Sequence, residues 1–164
     1  MIRIATLTED DWPELQEIRL AALRTDPGAF GSTLAREELF REPHWRMRLR
    51  STPTLVALDD TGRAVGLVSL IQEPGSPEDD RHVVGTWVRP EARRGGVGRA
   101  LVVAICEMAR ATGARTVSLW VATGNAAAAG LYGALGFRPT GIVQPLPSDP
   151  TRGEERWELV LADG

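Results

Sequence analysis

The sequence predicts a mixed α/β domain, and three observations carry that reading. Apolar segments of strand length are interspersed with segments of helical period, in the order β-α-α-β-β-β-α-β-α-β-β. Two strands at residues 54–58 and 64–72 flank an Asp-Asp-Thr-Gly turn, which makes an antiparallel hairpin. The stretch 81–135 contains a strand–helix–strand crossover followed by a further helix, and a crossover requires a locally parallel pair. The expected architecture is one domain over residues 1–164, a mixed, mostly antiparallel sheet flanked by helices. Ligands are expected at the C-terminal ends of the parallel strands.

Residues 2–7 read as a first strand. Thr8 followed by Asp11 has the form of a helix N-cap with an acid at N3. Trp12, Leu15, Ile18, Leu20, Ala22 and Leu23 then form a helical stripe, ended by Asp26-Pro27-Gly28. A second helical region spans about 34–50, interrupted before Pro43 because the residue preceding proline avoids helical geometry. After the hairpin comes an acidic loop at 73–80, then a strand at 81–88. Residues 90–96 form a loop. A helix at 97–112 places Val97, Leu101, Ile105 and Ala109 on one face, with Gly113 as its stop. A strand at 116–122, a helix at 125–135 ended by Gly136, and a strand at 137–143 follow. The last strand is expected at about 155–161, and residues 144–147 read as irregular.

Composition narrows the chemistry. All 19 basic side chains are arginine, and 22 acids give a formal charge of −3. Without lysine there is no Schiff-base nucleophile, no lysine general base and no P-loop lysine for NTP phosphates. A single cysteine, Cys106, excludes an internal disulfide and paired-cysteine metal sites, so no metal is expected. It lies mid-helix beside Ile105 and reads as core. The N-terminus has acids where a secretory leader has a basic start and an apolar run. No apolar run approaches the roughly 20 residues of a membrane span. A soluble, cytoplasmic protein without membrane or nucleic-acid partners is expected.

A strand ending at Trp87-Val88 leads into a loop and helix whose residues 89–99 hold four arginines and one glutamate. Glycines at a helix N-terminus let an anion approach unpaired amides, and arginine adds charge-assisted bonds. The Walker pattern fails for want of lysine, and the dinucleotide pattern fails because Gly96 begins Gly-Val-Gly-Arg-Ala-Leu. What remains is Arg93-x-x-Gly96-x-Gly98. A second motif follows, Asn125-x-x-Ala128-x-x-Leu131-Tyr132-x-x-Leu135-Gly136-Phe137, containing the only tyrosine of the chain.

In this order and spacing the two motifs resemble those of the GNAT N-acetyltransferase superfamily. The resemblance is strong over 83–137, topological before it and vague after it. It implies the family's fold, with the fourth and fifth strands splayed to admit acetyl-CoA. It assigns the pyrophosphate to Arg93, Arg94, Gly95, Gly96, Val97, Gly98 and Arg99. It assigns the acyl arm to backbone groups at Trp87 and Val88, with an amide near Val88 on the thioester carbonyl. It also brings Asn125 to the cofactor and makes Tyr132 the proton donor to the leaving thiolate. The Trp87 side chain reads as packing, and Asn125 doubles as an N-cap.

The general base departs from the pattern. Many relatives carry a glutamate on the fourth strand, yet residues 82–85 hold no carboxylate. Glu73, Asp79, Asp80, His82 and Glu38 are the candidates; the acids at 78–80 also read as a solvated loop, His82 as a packed or surface histidine, and His44 as packing. The acidic 73–80 stretch could attract a cationic amine. The implied activity is acetyl transfer to an amine in a ternary complex. A small-molecule acceptor is expected, with a protein N-terminus or lysine as the alternative. A CoA-binding sensor without turnover is the reading from another class. Homodimers are common in the family.

Overall fold

The computed structural model describes residues 1–161, and its seven strands form one sheet in the order β1-β2-β3-β4-β5-β7-β6. They are β1 (Arg3–Thr6), β2 (Thr54–Leu58), β3 (Ala64–Ile71), β4 (Asp80–Val88), β5 (Thr116–Ala122), β6 (Arg138–Leu146) and β7 (Asp149–Val160). The helices are α1 (Trp12–Thr25), α2 (Leu34–Glu37), α3 (Glu42–Ser51), α4 (Val97–Ala111) and α5 (Ala126–Ala134). Every neighbouring pair is antiparallel except β4 and β5, which are parallel.

Each face of the sheet buries its own core. On one side α4 lays Val97, Leu101, Val102, Ile105 and Ala109 onto Leu55, Val68, Val83 and Val117. Leu101 and Ile105 are fully buried, each worth about 1.5–3 kcal/mol in removed apolar surface. On the other side Leu15, Ile18 and Ala22 of α1 pack with Trp45 and Leu49 of α3 on Val56, Leu67 and Trp87.

Thr8 makes the expected reciprocal cap with Asp11, its amide donating to Asp11 Oδ2 at 2.7 Å. Pro43 stands in the first turn of α3, where its missing N–H costs nothing. The C-terminal hairpin departs from expectation. Residues 144–146 belong to β6, and β7 begins at Asp149 rather than near 155. Residues 144–147, with Pro145 and Pro147, read as irregular. The strand is nevertheless tolerated because β6 is the outer edge of the sheet, where a prolyl nitrogen need not donate to the ladder.

Two features position the site. First, β4 and β5 pair only through Asp80, Arg81 and His82 opposite Thr116, Val117 and Ser118. Beyond that point the strands diverge, leaving facing backbone groups without a ladder partner. Second, the β6–β7 hairpin reaches across to the loop after α1. There Ser148 Oγ donates to Gly28 O at 2.7 Å, and Pro147 Cβ lies 3.5 Å from where a Cβ on Gly31 would stand.

Candidate active site

Between the diverging strands lies a cavity of about 1040 Å³, lined by residues 82–86 of β4, residues 119–122 of β5, the 25–31 segment and the hairpin tip. The middle of β4 is irregular. Leu67 pairs with Trp87 and Ser69 with Val84, so β4 carries one residue more than β3 between those pairs. That bulge holds Gly85 and Thr86. Gly85 has φ +67°, a backbone conformation that side chains with a Cβ rarely adopt. Bulges of this kind re-aim strand groups beside active sites.

Tyr132 projects from α5 into the cavity wall and is 9% exposed. Burial pushes its phenol above the usual value, with the side chain of Thr86 pulling the other way, so the hydroxyl keeps its proton at neutral pH. Phe137 packs edge-on against the ring at 5.6 Å. Asn125 caps α5, its Oδ1 accepting from the Ala128 amide at 3.1 Å. Asn125 also lines the cavity.

The glycine loop is open at the start of α4. Gly96 is the N-cap with φ +79°, and no side chain caps the helix, so the first-turn amides at Val97, Gly98 and Arg99 are available to an anion. Arg94 is the one described non-glycine residue with positive φ, at 68°, and it is exposed together with Gly95 and Arg99.

The arginines of residues 89–99 do not all face the open start of α4. Arg89 is buried, donating to Ala64 O at 2.8 Å and to Glu17 Oε2 at 2.6 Å. Arg93 donates from Nε to Val88 O at 2.9 Å and from Nη2 to Asp26 Oδ2 at 2.7 Å. The local excess of positive charge is therefore carried at the loop by Arg94 and Arg99.

Arg89 gives its N–H to Val65 O at 2.8 Å, so strand alternation turns the Val88 N–H toward the gap between β4 and β5. The Trp87 side chain is core, and its Nε1 donates to Asp26 Oδ2 at 2.7 Å. With Trp87 and Arg93 both on one carboxylate, Asp26 titrates below its ordinary range.

The acids of residues 73–80 divide. Glu78 and Asp79 are exposed, as a solvated loop would be, whereas Asp80 is 3% exposed and Glu73 is half-buried. These two belong to a network at the apex where β4 and β5 part. Ser118 Oγ donates to Asp80 Oδ2 at 2.7 Å, so His82 Nδ1, 2.9 Å from that hydroxyl, carries the donated proton. That leaves His82 Nε2 as the basic nitrogen, with Glu73 Oε2 at 3.2 Å. Arg156 binds Glu73 at 2.9 Å and Asp80 at 3.2 Å. Burial lowers the His82 pKa and outweighs the pull of Glu73 in the other direction. Glu73 and Asp80 are thus engaged with Arg156 and His82 rather than left as free attraction for an amine.

Glu38 is exposed at the end of α2, and its neighbour Glu37 is the buried acid. Arg19 forks onto Glu37 with two bonds of 2.9 Å, and Arg48 adds a third of 2.9 Å. Burial alone would raise the Glu37 pKa, but the hydrogen bonds and charge of Arg19, with the bond from Arg48, bring it down to about 2. Sequence reasoning missed Arg19 and Arg48. The signal for Arg19 was a charged residue one turn after Leu15 on the apolar stripe of α1. His44 stacks on Phe40 at 3.7 Å, and burial raises the Cys106 thiol to about 11, so both are packing residues.

The profile of the acetyltransferase (GNAT) family matches residues 7–137. The chain belongs to the GNAT acetyltransferase family. A solved relative, ribosomal-protein-alanine N-acetyltransferase from Brucella melitensis, is 27% identical with TM-score 0.77, covering 97% of this chain and 99% of its own. Nourseothricin acetyltransferase is 28% identical with TM-score 0.60, covering 68% of this chain and 66% of its own. A GNAT acetyltransferase from Streptococcus pneumoniae shares the fold at 21% identity and TM-score 0.79, covering 98% and 100%. No curated protein matches the sequence. Among the described residues no helix is long and apolar enough to cross a membrane, and no group of three or more His, Cys, Asp or Glu could hold a metal ion.

Proposed function

We propose that residues 1–164 act as one domain that moves an acetyl group from acetyl-CoA to the amine of a small molecule, by direct attack with both substrates bound. The observation that carries this reading is the bulge at Gly85–Thr86. Tyr132 reaches it from the α5 side and Arg19 from the α1 side, so two ligands entering from opposite faces of the sheet meet there.

The residues present fit the CoA moiety. The uncapped start of α4, with Arg94 and Arg99 exposed beside it, suits a pyrophosphate, and the unpaired inner edge of β4 suits an amide-bearing arm. When bound, acetyl-CoA supplies an activated carbonyl and a thiolate leaving group. The chain does the rest. Val88 N–H donates to developing negative charge on the carbonyl oxygen. Tyr132 gives its proton or a hydrogen bond to the departing sulfur. His82 Nε2 takes the amine proton through water, and Glu73 stabilises the charge it acquires.

The hairpin tip lying on residues 28–31 roofs the acceptor side, which supports a small molecule over a folded protein surface. An accessible peptide N-terminus or lysine is the competing acceptor. Thiol release from acetyl-CoA, monitored across small amines and N-terminal peptides, tests the reading. Release with small amines is expected, and release with peptides alone would overturn the acceptor class. Cofactor binding without release from any amine would favour a sensor domain.

A further inference from the structure

The acceptor side of the cavity has a charge that the protein leaves unbalanced. Arg19 and Arg48 share the single carboxylate of Glu37, whose side chain is 3% exposed. Both arginines line the cavity, with side chains 11% and 30% exposed. Arg19 spends Nε and Nη2 on Glu37. Among the described residues nothing accepts from its Nη1, which keeps two N–H donors.

The guanidinium carbon of Arg19 lies over the ring of Phe30, 4.8 Å from its centroid. In this position Nη1 stands 3.8 Å from where a Cβ on Gly85 would be, directly beside the bulge. Asp26, the other acid on this wall, is taken by Trp87 and Arg93, and on the hairpin side the opposite charges of Arg152 and Glu154 add no net charge to the lining. Two guanidiniums on one buried acid are costly unless a second anion completes the set. A bare ammonium entering here would meet an excess of positive charge. A carboxylate on the same molecule would neutralise that excess and orient the amine.

We propose that the acceptor is an amine that also carries a carboxylate, held by Arg19 Nη1 and Arg48 on the acceptor side of the Gly85 bulge. The carboxylate lies within a few bonds of the amine, because Nη1 adjoins the bulge where the amine must react. An α-, β- or γ-amino acid meets that requirement. The proposal rests on the acetyl-transfer reading.

Matched pairs test it. The twenty proteinogenic α-amino acids, β-alanine and γ-aminobutyrate are compared with the amines that lack their carboxylate, by thiol release from acetyl-CoA. The carboxylated member of at least one pair should be favoured in kcat/KM by roughly a hundredfold, the scale of charge-assisted hydrogen bonds. Equal rates within every pair, or preference for the decarboxylated amines, would overturn the carboxylate subsite while leaving acetyl transfer standing.

A turnover-free arm separates the two failures. In the presence of CoA, N-acetyl amino acids should raise Tm more than the corresponding N-acetyl amines, and equal shifts would overturn the subsite whether or not transfer occurs. Arg48→Gln should bring the within-pair ratio down at least tenfold. Arg19→Gln alone would strand Glu37, so Arg19→Gln is paired with Glu37→Gln, with folding checked by circular dichroism. An unchanged ratio in both folded variants would overturn the assignment to these arginines.

Discussion

In the proposed reaction Tyr132 and His82 do opposite things with a proton, and each environment suits that task. The buried phenol holds its proton, so Tyr132→Phe should lower kcat by about 10–100-fold, with the KM for acetyl-CoA nearly unchanged. A rise in KM with kcat intact would make Tyr132 a packing residue only. His82 must be neutral to accept a proton, and burial lowers its pKa from 6.5. The acid limb of kcat/KM should therefore fall below pH 6.5, and His82→Gln should remove that limb while slowing turnover about 100-fold. A limb that persists in His82→Gln would assign it to another group. Folding stability depends on pH in the same direction. Below pH 6.5 the unfolded chain binds a proton at this histidine that the folded chain refuses, so its contribution to stability is lost as pH falls.

At the scale of elements, Glu37 ties α1, α2 and α3 into one wall. Its pKa of about 2 lies below the ordinary 4.5, so the unfolded chain takes up the proton first on acidification. The contribution is complete above pH 4.5 and is lost between 4.5 and about 2. Its size is about 3 kcal/mol, from 1.36 kcal/mol per pKa unit. Urea melts between pH 5 and 2.5 should show this loss, and Glu37→Gln should flatten it. This wall was the least legible part of the sequence. Arg19, Glu37 and Arg48 are ordinary surface residues by composition, and only their burial together makes them a site. The elements themselves were far more legible. β2 and β5 lie where alternation and turn residues put them, and α4 begins at the expected Val97. The motifs located the glycine loop and Tyr132. They could not show that Arg89 and Arg93 turn inward, because side-chain partners such as Glu17 and Asp26 lie more than 60 positions away. Nor could they distinguish Asp80 from Asp79, since the first residue of β4 is buried and the one before it is not.

For the molecule as a whole, the N-terminal helices, a splayed sheet and a C-terminal hairpin converge on one cavity. A ligand that fills it should stabilise the fold by mass action. Millimolar acetyl-CoA should raise Tm by several degrees, an amount set by the ratio of concentration to Kd, and no shift would argue against the CoA site. One contact crosses from the donor side to the acceptor side. Asp26 holds Arg93 of the glycine loop and Trp87 of β4, and it opens the 26–31 segment that walls the acceptor chamber. If an anion bound at the start of α4 draws Arg93 off Asp26, that segment's anchor loosens and occupancy at one side changes affinity at the other. Thermodynamic reciprocity then fixes a single coupling factor: whatever the donor does to acceptor affinity, the acceptor does to donor affinity by the same ratio. Calorimetry of each ligand with and without the other should return matching ratios, and Asp26→Asn should bring both toward one.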